Sequence, residues 1–205
     1  MPKLVDHDER RRQVAATAAG LVVAGGVEAL TTRHVAEATG YSTAVVSHYF
    51  DGKDDLLLAT FQWASDRARD RFTAAIGGPG SAASRLESGL EALLAIDADQ
   101  QADWRVFLAF WGTAATRPDL AAQQAARVRS AYDRVAVLLR EDDDLHLRGE
   151  ALAHAARRLI VMVQGIATYS AFDPEDWPAA RQRRVLADEL ADVRRRAREG
   201  HQRDR

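Results

Sequence analysis

The sequence predicts an all-α protein of about nine helices. Apolar residues recur every three to four positions along nearly the whole chain, and no segment alternates polar and apolar residues for long, as a half-buried strand does. At 205 residues the chain is long enough for one domain with a full core or for two smaller ones. It contains no cysteine, which excludes disulfides, thiolate metal sites and cysteine nucleophiles.

The first helix is predicted from an apolar stripe that stops at Gly25 and Gly26. Asp6, with Glu9 three residues later, has the spacing of a capping box at the start of this helix. A glycine pair is a typical end of a helix, because glycine adopts the backbone conformation that follows the last turn. The stripe is formed by Val14, Ala18, Leu21 and Val22.

Three further helices are predicted from residues that cap helix ends. Thr31 or Thr32 begins a short second helix, which Gly40 ends, and Ser42 begins an equally short third one. Asp51 is expected to cap a longer fourth helix, which stops at the linker "GGPGSAAS", residues 77–84. Five further helical segments are predicted around residues 86–94, 104–115, 118–140, 149–172 and 186–197. We place a domain boundary after residue 53, which gives domains 1–53 and 54–205.

The second and third helices have the pattern of a helix-turn-helix. Ala36 is small where the two helices cross, Gly40 supplies a positive φ in the turn, and Val46 anchors the third helix on its inner side. The alternative is an ordinary αα-corner whose polar residues face water. In the helix-turn-helix interpretation, small and polar side chains face outward and fit a major groove. These side chains are Thr43, Ala44, Ser47 and His48.

The charge balance requires any contact with nucleic acid to be local. The net charge is −2, and residues 1–50 carry five positive and five negative side chains. No apolar run approaches the roughly 20 residues of a membrane span, and the charged start does not resemble a signal peptide. We therefore expect a cytoplasmic protein without a membrane partner.

Residues 11–57, about a quarter of the chain, resemble the DNA-binding domain of TetR-family transcriptional repressors. The resemblance is carried by "LTTRHVAEATGYS", by "HYF", and by Lys53 followed by "DDLL". The phrases "STAVVSHYF" and "WRVFLAFWGTAATRPDLAAQQ" resemble the BetI-type, choline-responsive branch of that family. Relatives often carry tyrosine where this chain has Ser47, so the operator sequence does not transfer.

The resemblance implies a homodimer that binds a palindromic double-stranded DNA operator and releases it when a small-molecule effector binds the larger domain. No cofactor is implied. The recognition helix spans residues 42–50, and Lys3 with Arg10 to Arg12 forms either an arm that reaches DNA or a solvated basic face. The resemblance implies that phosphates are contacted by Thr31, Thr32, Arg33, Tyr41, Tyr49 and Lys53. It implies a base-facing side formed by Thr43, Ala44, Ser47 and His48, and it counts Ser42, where the recognition helix begins, among the DNA-binding residues.

Two apolar stripes near the end of the chain are predicted to form the dimer, as a four-helix bundle with a second copy. The alternative is that both stripes pack within one chain. The stripe of the later helix is formed by Leu186, Leu190, Val193 and Ala197. The wider stripe is formed by Leu152, Ala155, Ala156, Leu159, Ile160, Val163, Ile166 and Ala167.

Five aromatic residues are candidate effector contacts: Trp104, Phe107, Trp111, Tyr169 and Phe172. Aromatic faces attract quaternary ammonium ions, so a choline-like cation is the ligand class that the residues and the resemblance favour together. The alternative is that these rings only fill the core.

Two other classes of function are an enzyme and a protein-interaction adaptor. An enzyme is disfavoured because the chain lacks G-x-S-x-G, H-E-x-x-H and P-loop motifs, and His146 beside Asp142 to Asp144 is typical of a solvated loop. A helical protein-interaction adaptor without DNA binding is the remaining alternative.

Overall fold

Nine α-helices account for most of the described chain in the computed structural model, which covers residues 7–203 and the side chains of residues 7–200. Residues 7–203 contain no strand, so the all-α prediction and the helix count are confirmed. A short 3-10 turn, Val27–Ala29, was not predicted because three residues are too few to show a period. The helices are α1 His7–Gly25, α2 Thr32–Thr39, α3 Thr43–Tyr49, α4 Lys53–Ile76, α5 Ala82–Glu91, α6 Ala98–Ala114, α7 Pro118–Glu141, α8 Gly149–Phe172 and α9 Ala179–Arg203.

The predicted caps of α2 and α3 are present. The Thr31 hydroxyl accepts a hydrogen bond from the His34 amide at 3.1 Å, and the Ser42 hydroxyl accepts one from the Val45 amide at 3.2 Å. Each hydroxyl satisfies an amide that has no partner inside its own helix, which fixes where these two short helices begin.

The cap predicted for α4 is wrong, and the cap predicted for α1 is untested. The helix α4 begins at Lys53, so Gly52 rather than Asp51 stands immediately before it, and the Gly52 carbonyl accepts from the Leu56 amide at 3.2 Å. The amide of Asp51 instead donates to the Asp55 carboxylate at 3.1 Å. Asp6 lies outside the described residues.

The chain divides into two compact units. The first contains residues up to 67 together with 102–121, and the second contains residues 68–101 together with those from 122 onward. The boundary that we placed between residues 53 and 54 stays a prediction. In the core of the first unit, the Phe61 ring stacks on the Phe110 ring at 3.9 Å, and both side chains are buried.

The core of the second unit is built largely from the two stripes that were assigned to a dimer. Every residue of the α8 stripe, from Leu152 to Ala167, is buried within the single chain, and so are the four stripe residues of α9. The prediction that these stripes form the intersubunit bundle is therefore wrong. They pack against each other and against α5 and α7 because one chain already supplies enough apolar surface to cover them.

Candidate nucleic-acid interface

The corner between α2 and α3 is closed by Gly40. Its backbone has φ 72°, in the left-handed region, and no heavy atom lies within 4 Å of the position that a Cβ would occupy. Glycine is therefore required by the backbone conformation and not by lack of space. The Tyr41 amide donates to the Ala36 carbonyl at 3.0 Å and completes the turn.

The inner side of the corner is fully apolar. Val35 and Val46 are 0% exposed, and Ala36 and Phe50 are buried beside them. Three of these apolar residues belong to helices of only eight and seven residues, and Phe50 directly follows α3. Their burial fixes the orientation of α3, because helices this short do not persist without tertiary packing.

The outer side of α3 is exposed, as the sequence predicted for its outward residues. The exposed side chains include no large apolar group, which suits contact with a polar partner. Exposed members of the predicted interface are Arg33, Ser42, Thr43, Ala44, Ser47 and His48, and half-buried members are Thr31, Thr32, Tyr41, Tyr49 and Lys53. All eleven residues lie on α2, α3, the residues that precede these two helices, or the start of α4, while their contacts with DNA stay a prediction.

Arg11 is a residue of this region whose role the sequence did not reveal. Its guanidinium donates to the Tyr49 carbonyl at the end of α3 and to the Asp55 carboxylate on α4, at 2.6 Å for the second bond. The same group lies 4.4 Å from the centroid of the Phe50 ring. Arg11 thus joins α1, α3 and α4 at one point.

The arginines beside it are not part of an extended arm. Arg10 and Arg12 lie within α1: the guanidinium of Arg10 is 5.2 Å from the Tyr41 ring centroid, and that of Arg12 donates to Glu9 at 2.8 Å. An extended arm at Arg10 and Arg12 is therefore excluded, because both lie within α1, while contact of their side chains with DNA stays a prediction. Lys3, the remaining member of the predicted arm, lies outside the described residues.

Lys53, the predicted phosphate contact, already has an acidic neighbour. Its ammonium lies 3.1 Å from the carboxylate of Glu28, whose side chain is 92% exposed. His48, on the outer side of α3, packs against the His7 ring at 5.7 Å and the Tyr49 ring at 5.3 Å. The interface is therefore organised before any partner binds.

The predicted effector residues fall in two groups. Trp104, Phe107 and Trp111 come together on α6, with the Trp104 ring 5.4 Å from Phe107 and 5.7 Å from Trp111. Tyr169 and Phe172 belong to the other compact unit and are 62% and 76% exposed. Ligand contact by any of these five residues stays a prediction.

Two charged groups beside the α6 aromatics were not found from the sequence. Asp103 is 1% exposed, and its carboxylate lies 3.8 Å from the guanidinium of Arg67. That guanidinium also lies 4.7 Å from the Trp63 ring centroid. Ligand sites commonly combine aromatic side chains with a few such polar groups, and helical periodicity alone carries no sign of this pairing.

Comparison with known proteins decides the family. The model of the bacterial regulatory proteins of the TetR family matches residues 15–60, and that of the BetI-type transcriptional repressor C-terminal domain matches residues 82–195, more than half of the chain. The chain belongs to the TetR family of transcriptional regulators. Its C-terminal part is of the BetI type, and like its relatives this TetR-family regulator is not an enzyme.

Proteins similar to this TetR-family regulator are named as HTH-type transcriptional regulators. BetI 2 of Chromohalobacter salexigens is 31% identical over 89% of this chain and 87% of its own, and BetI of Paraburkholderia xenovorans is 30% identical over 81% and 84%. PksA of Bacillus subtilis is 23% identical over 94% of both chains. The recognition of a BetI-type TetR regulator from the sequence is confirmed.

Solved structures with this fold include two regulators that match with a TM-score of 0.79. One comes from Rhodococcus and covers 89% of this chain and 95% of its own, at 22% identity. The other comes from Saccharomonospora viridis, was crystallised in complex with choline, and covers 90% and 96%, also at 22% identity. In the TetR-family regulator described here, no helix of residues 7–203 is long and apolar enough to cross a membrane.

Proposed function

We propose that this regulator is a cytoplasmic repressor that binds a palindromic DNA operator as a homodimer and releases it when a small molecule binds. The observation that carries the proposal is the α2–α3 corner, where a buried inner side fixes α3 and leaves Thr43, Ala44, Ser47 and His48 exposed together. A helix with a small, hydroxylated outer side enters a major groove without steric conflict, and its side chains then reach base edges and phosphates.

The outer face of α8 is the surface that we propose for the dimer. Val161 is 59% exposed, and Tyr169 and Phe172 follow it at intervals of eight and three residues, which places all three on one side of the helix. Gly165 lies between them, and a Cβ at that position would meet no atom within 4 Å. Three large apolar side chains exposed on one side of a helix are typical of an interaction surface, and in a two-fold dimer the same face of a second copy would cover them.

The dimer proposal is tested by Val161→Glu and Phe172→Glu. Each variant buries a carboxylate in the proposed interface, so we expect monomers by size-exclusion chromatography with light scattering and weak operator binding. Ala126→Glu on α7 is the matched control, because residue 126 is also exposed but lies outside the proposed face. If both variants remain dimers, the outer face of α8 is not the dimer interface.

The effector that we propose is a small cation held by the α6 aromatics. Trp104 and Trp111 meet edge to face, at 90°, and Trp111 is half-buried. Each cation–aromatic contact contributes about 0.5–2 kcal/mol, depending on burial. The choline complex of the Saccharomonospora relative supports this ligand class. Isothermal titration with choline and with betaine aldehyde tests it: no heat and no loss of operator binding would remove the proposal.

The DNA proposal is tested with an operator selected by the wild-type protein from random DNA. Fluorescence anisotropy gives its Kd, and we expect Ser47→Glu to raise that Kd about a hundredfold, because it would bury a carboxylate in a negatively charged groove. Ala126→Glu should bind as the wild type does. Equal affinity of Ser47→Glu and wild type would exclude α3 as the reading helix, and failure to select any DNA would favour the adaptor alternative.

A further inference from the structure

The first turn of α4 carries two adjacent acidic residues that bind arginines from different parts of the same compact unit. Asp54 accepts a hydrogen bond from Arg117, which follows the end of α6. Asp55 accepts one from Arg11 of α1 at 2.6 Å. Both carboxylates also stand where the partial positive charge at the start of a helix favours anions.

Each arginine is fixed by more than one contact. Arg117 also donates to Asp119 at 3.3 Å in the first turn of α7, and the hydrogen bond with Asp54 is the main cause of its raised pKa. Arg11 reaches the Tyr49 carbonyl, the last residue of the recognition helix. The contacts therefore run from the α6–α7 junction, through two neighbouring residues of α4, to the end of α3.

We propose that Arg117 is a positioning residue that couples the α6–α7 junction to the recognition helix through Asp54, Asp55 and Arg11. This inference rests on the proposed function, because it assigns the path by which an event at α6 changes DNA binding. A shift of the α6–α7 junction moves Arg117 and, through their hydrogen bond, Asp54, and so displaces the first turn of α4. Asp55 then moves with its neighbour, and Arg11 transmits the displacement to the end of α3. Such coupling requires that the first turn of α4 has two arrangements, and that both the α6–α7 junction and α3 favour one of them over the other.

The competing role for Arg117 is local. If Asp54 and Asp55 only complement the helix dipole, loss of Arg117 will loosen the α6–α7 junction and leave α3 unchanged. The two roles differ at the Phe50 amide, which donates to the Val46 carbonyl at 3.0 Å in the last turn of α3. Hydrogen exchange of the peptide that contains this amide reports on α3 without DNA or effector.

The exchange experiment uses the full chain and three variants. We expect Arg117→Gln to lower protection in the last turn of α3 about threefold, as removal of one exposed ion pair allows. Arg117→Lys keeps the charge and should restore most of the protection. Arg105→Gln removes the same charge from an exposed position of α6 and should leave α3 unchanged. Unchanged α3 exchange in Arg117→Gln would overturn the proposal.

A double-mutant cycle on operator affinity gives the second readout. We expect Arg117→Gln to raise Kd about threefold and Arg11→Gln about tenfold, because Arg11 makes two charged hydrogen bonds. If the two effects are independent, the double variant should raise Kd about thirtyfold. If both residues act on one path, the double variant should raise Kd only about tenfold. A multiplicative result would overturn the coupling. If the wild type binds no selected DNA, the proposed function fails and the exchange result alone decides the path.

Discussion

Glu28 is predicted to weaken DNA binding, because its carboxylate forms an ion pair with Lys53, the lysine that we propose contacts an operator phosphate. The Lys53 ammonium lies 3.1 Å from the Glu28 carboxylate, and the two side chains are 38% and 92% exposed. A phosphate that binds Lys53 must displace the Glu28 carboxylate from the lysine. The displaced carboxylate stays nearby and repels the phosphate. Glu28→Gln removes both obstacles while keeping the size of the side chain.

The magnitude follows from the exposure of the pair. Ion pairs as exposed as this one contribute about 0.2–1 kcal/mol, which corresponds to about 1.4-fold to fivefold in an equilibrium constant. We therefore expect Glu28→Gln to lower the operator Kd by that factor. The gain should be largest in dilute buffer and shrink as added salt shortens the Debye length to about 8 Å at 0.15 M.

Fluorescence anisotropy over a salt series measures this gain, and two controls locate its origin. In a Lys53→Gln background, Glu28→Gln should change Kd little, because the lysine that it held is gone. Glu37→Gln removes an exposed carboxylate from α2 and measures the general effect of one negative charge near DNA. An equal gain from Glu28→Gln with and without Lys53 would refute the reasoning.

Three further outcomes concern the stability of the fold. Val46→Ala should lower the free energy of unfolding by about 1.5–3 kcal/mol in urea titrations, because Val46 is 0% exposed and its removed methyl groups leave a cavity. Gly89→Ala should cost about 1–3 kcal/mol, measured in the same way, since its Cβ would lie 2.6 Å from the Ile76 Cγ2. The hydrogen bond from Arg158 lowers the pKa of Asp192, so the charged form stabilises the fold above the unfolded pKa of about 3.9. Asp192→Asn should therefore be less stable than wild type at neutral pH, with the difference vanishing as the pH falls through the lowered pKa.

The helix-turn-helix was predictable because its determinants are local. A hydroxyl caps each helix start at Thr31 and Ser42, and Gly40 has the positive φ that the turn requires. Caps and turn residues act within four positions of the chain, so their effect is visible in the sequence. The same reasoning failed at Asp51, where the neighbouring glycine took the position before α4.

The partner of an apolar stripe was not predictable, because periodicity shows that a face is buried and not what buries it. The α8 stripe was assigned to a second copy, yet it packs inside one chain. The signal for an outer apolar face was present in Val161, Tyr169 and Phe172, but the wider stripe obscured it. Long-range ion pairs such as that of Arg11 with Asp55, 44 residues apart, left no pattern at all.

The balance of five positive and five negative charges in the first 50 residues acquires a physical meaning once the contacts are known. Four cations near the proposed interface are already held by groups of the same chain, so DNA that binds them exchanges one partner for another and releases fewer counterions than their number implies. In the proposed complex, a larger share of the affinity is then expected from hydroxyls, backbone amides and the fixed orientation of α3, which carry no net charge. The slope of log Kd against log salt should accordingly be smaller than the number of phosphate contacts implies. The held cations and their partners are Arg10 with Tyr41, Arg11 with Asp55, Arg12 with Glu9 and Lys53 with Glu28.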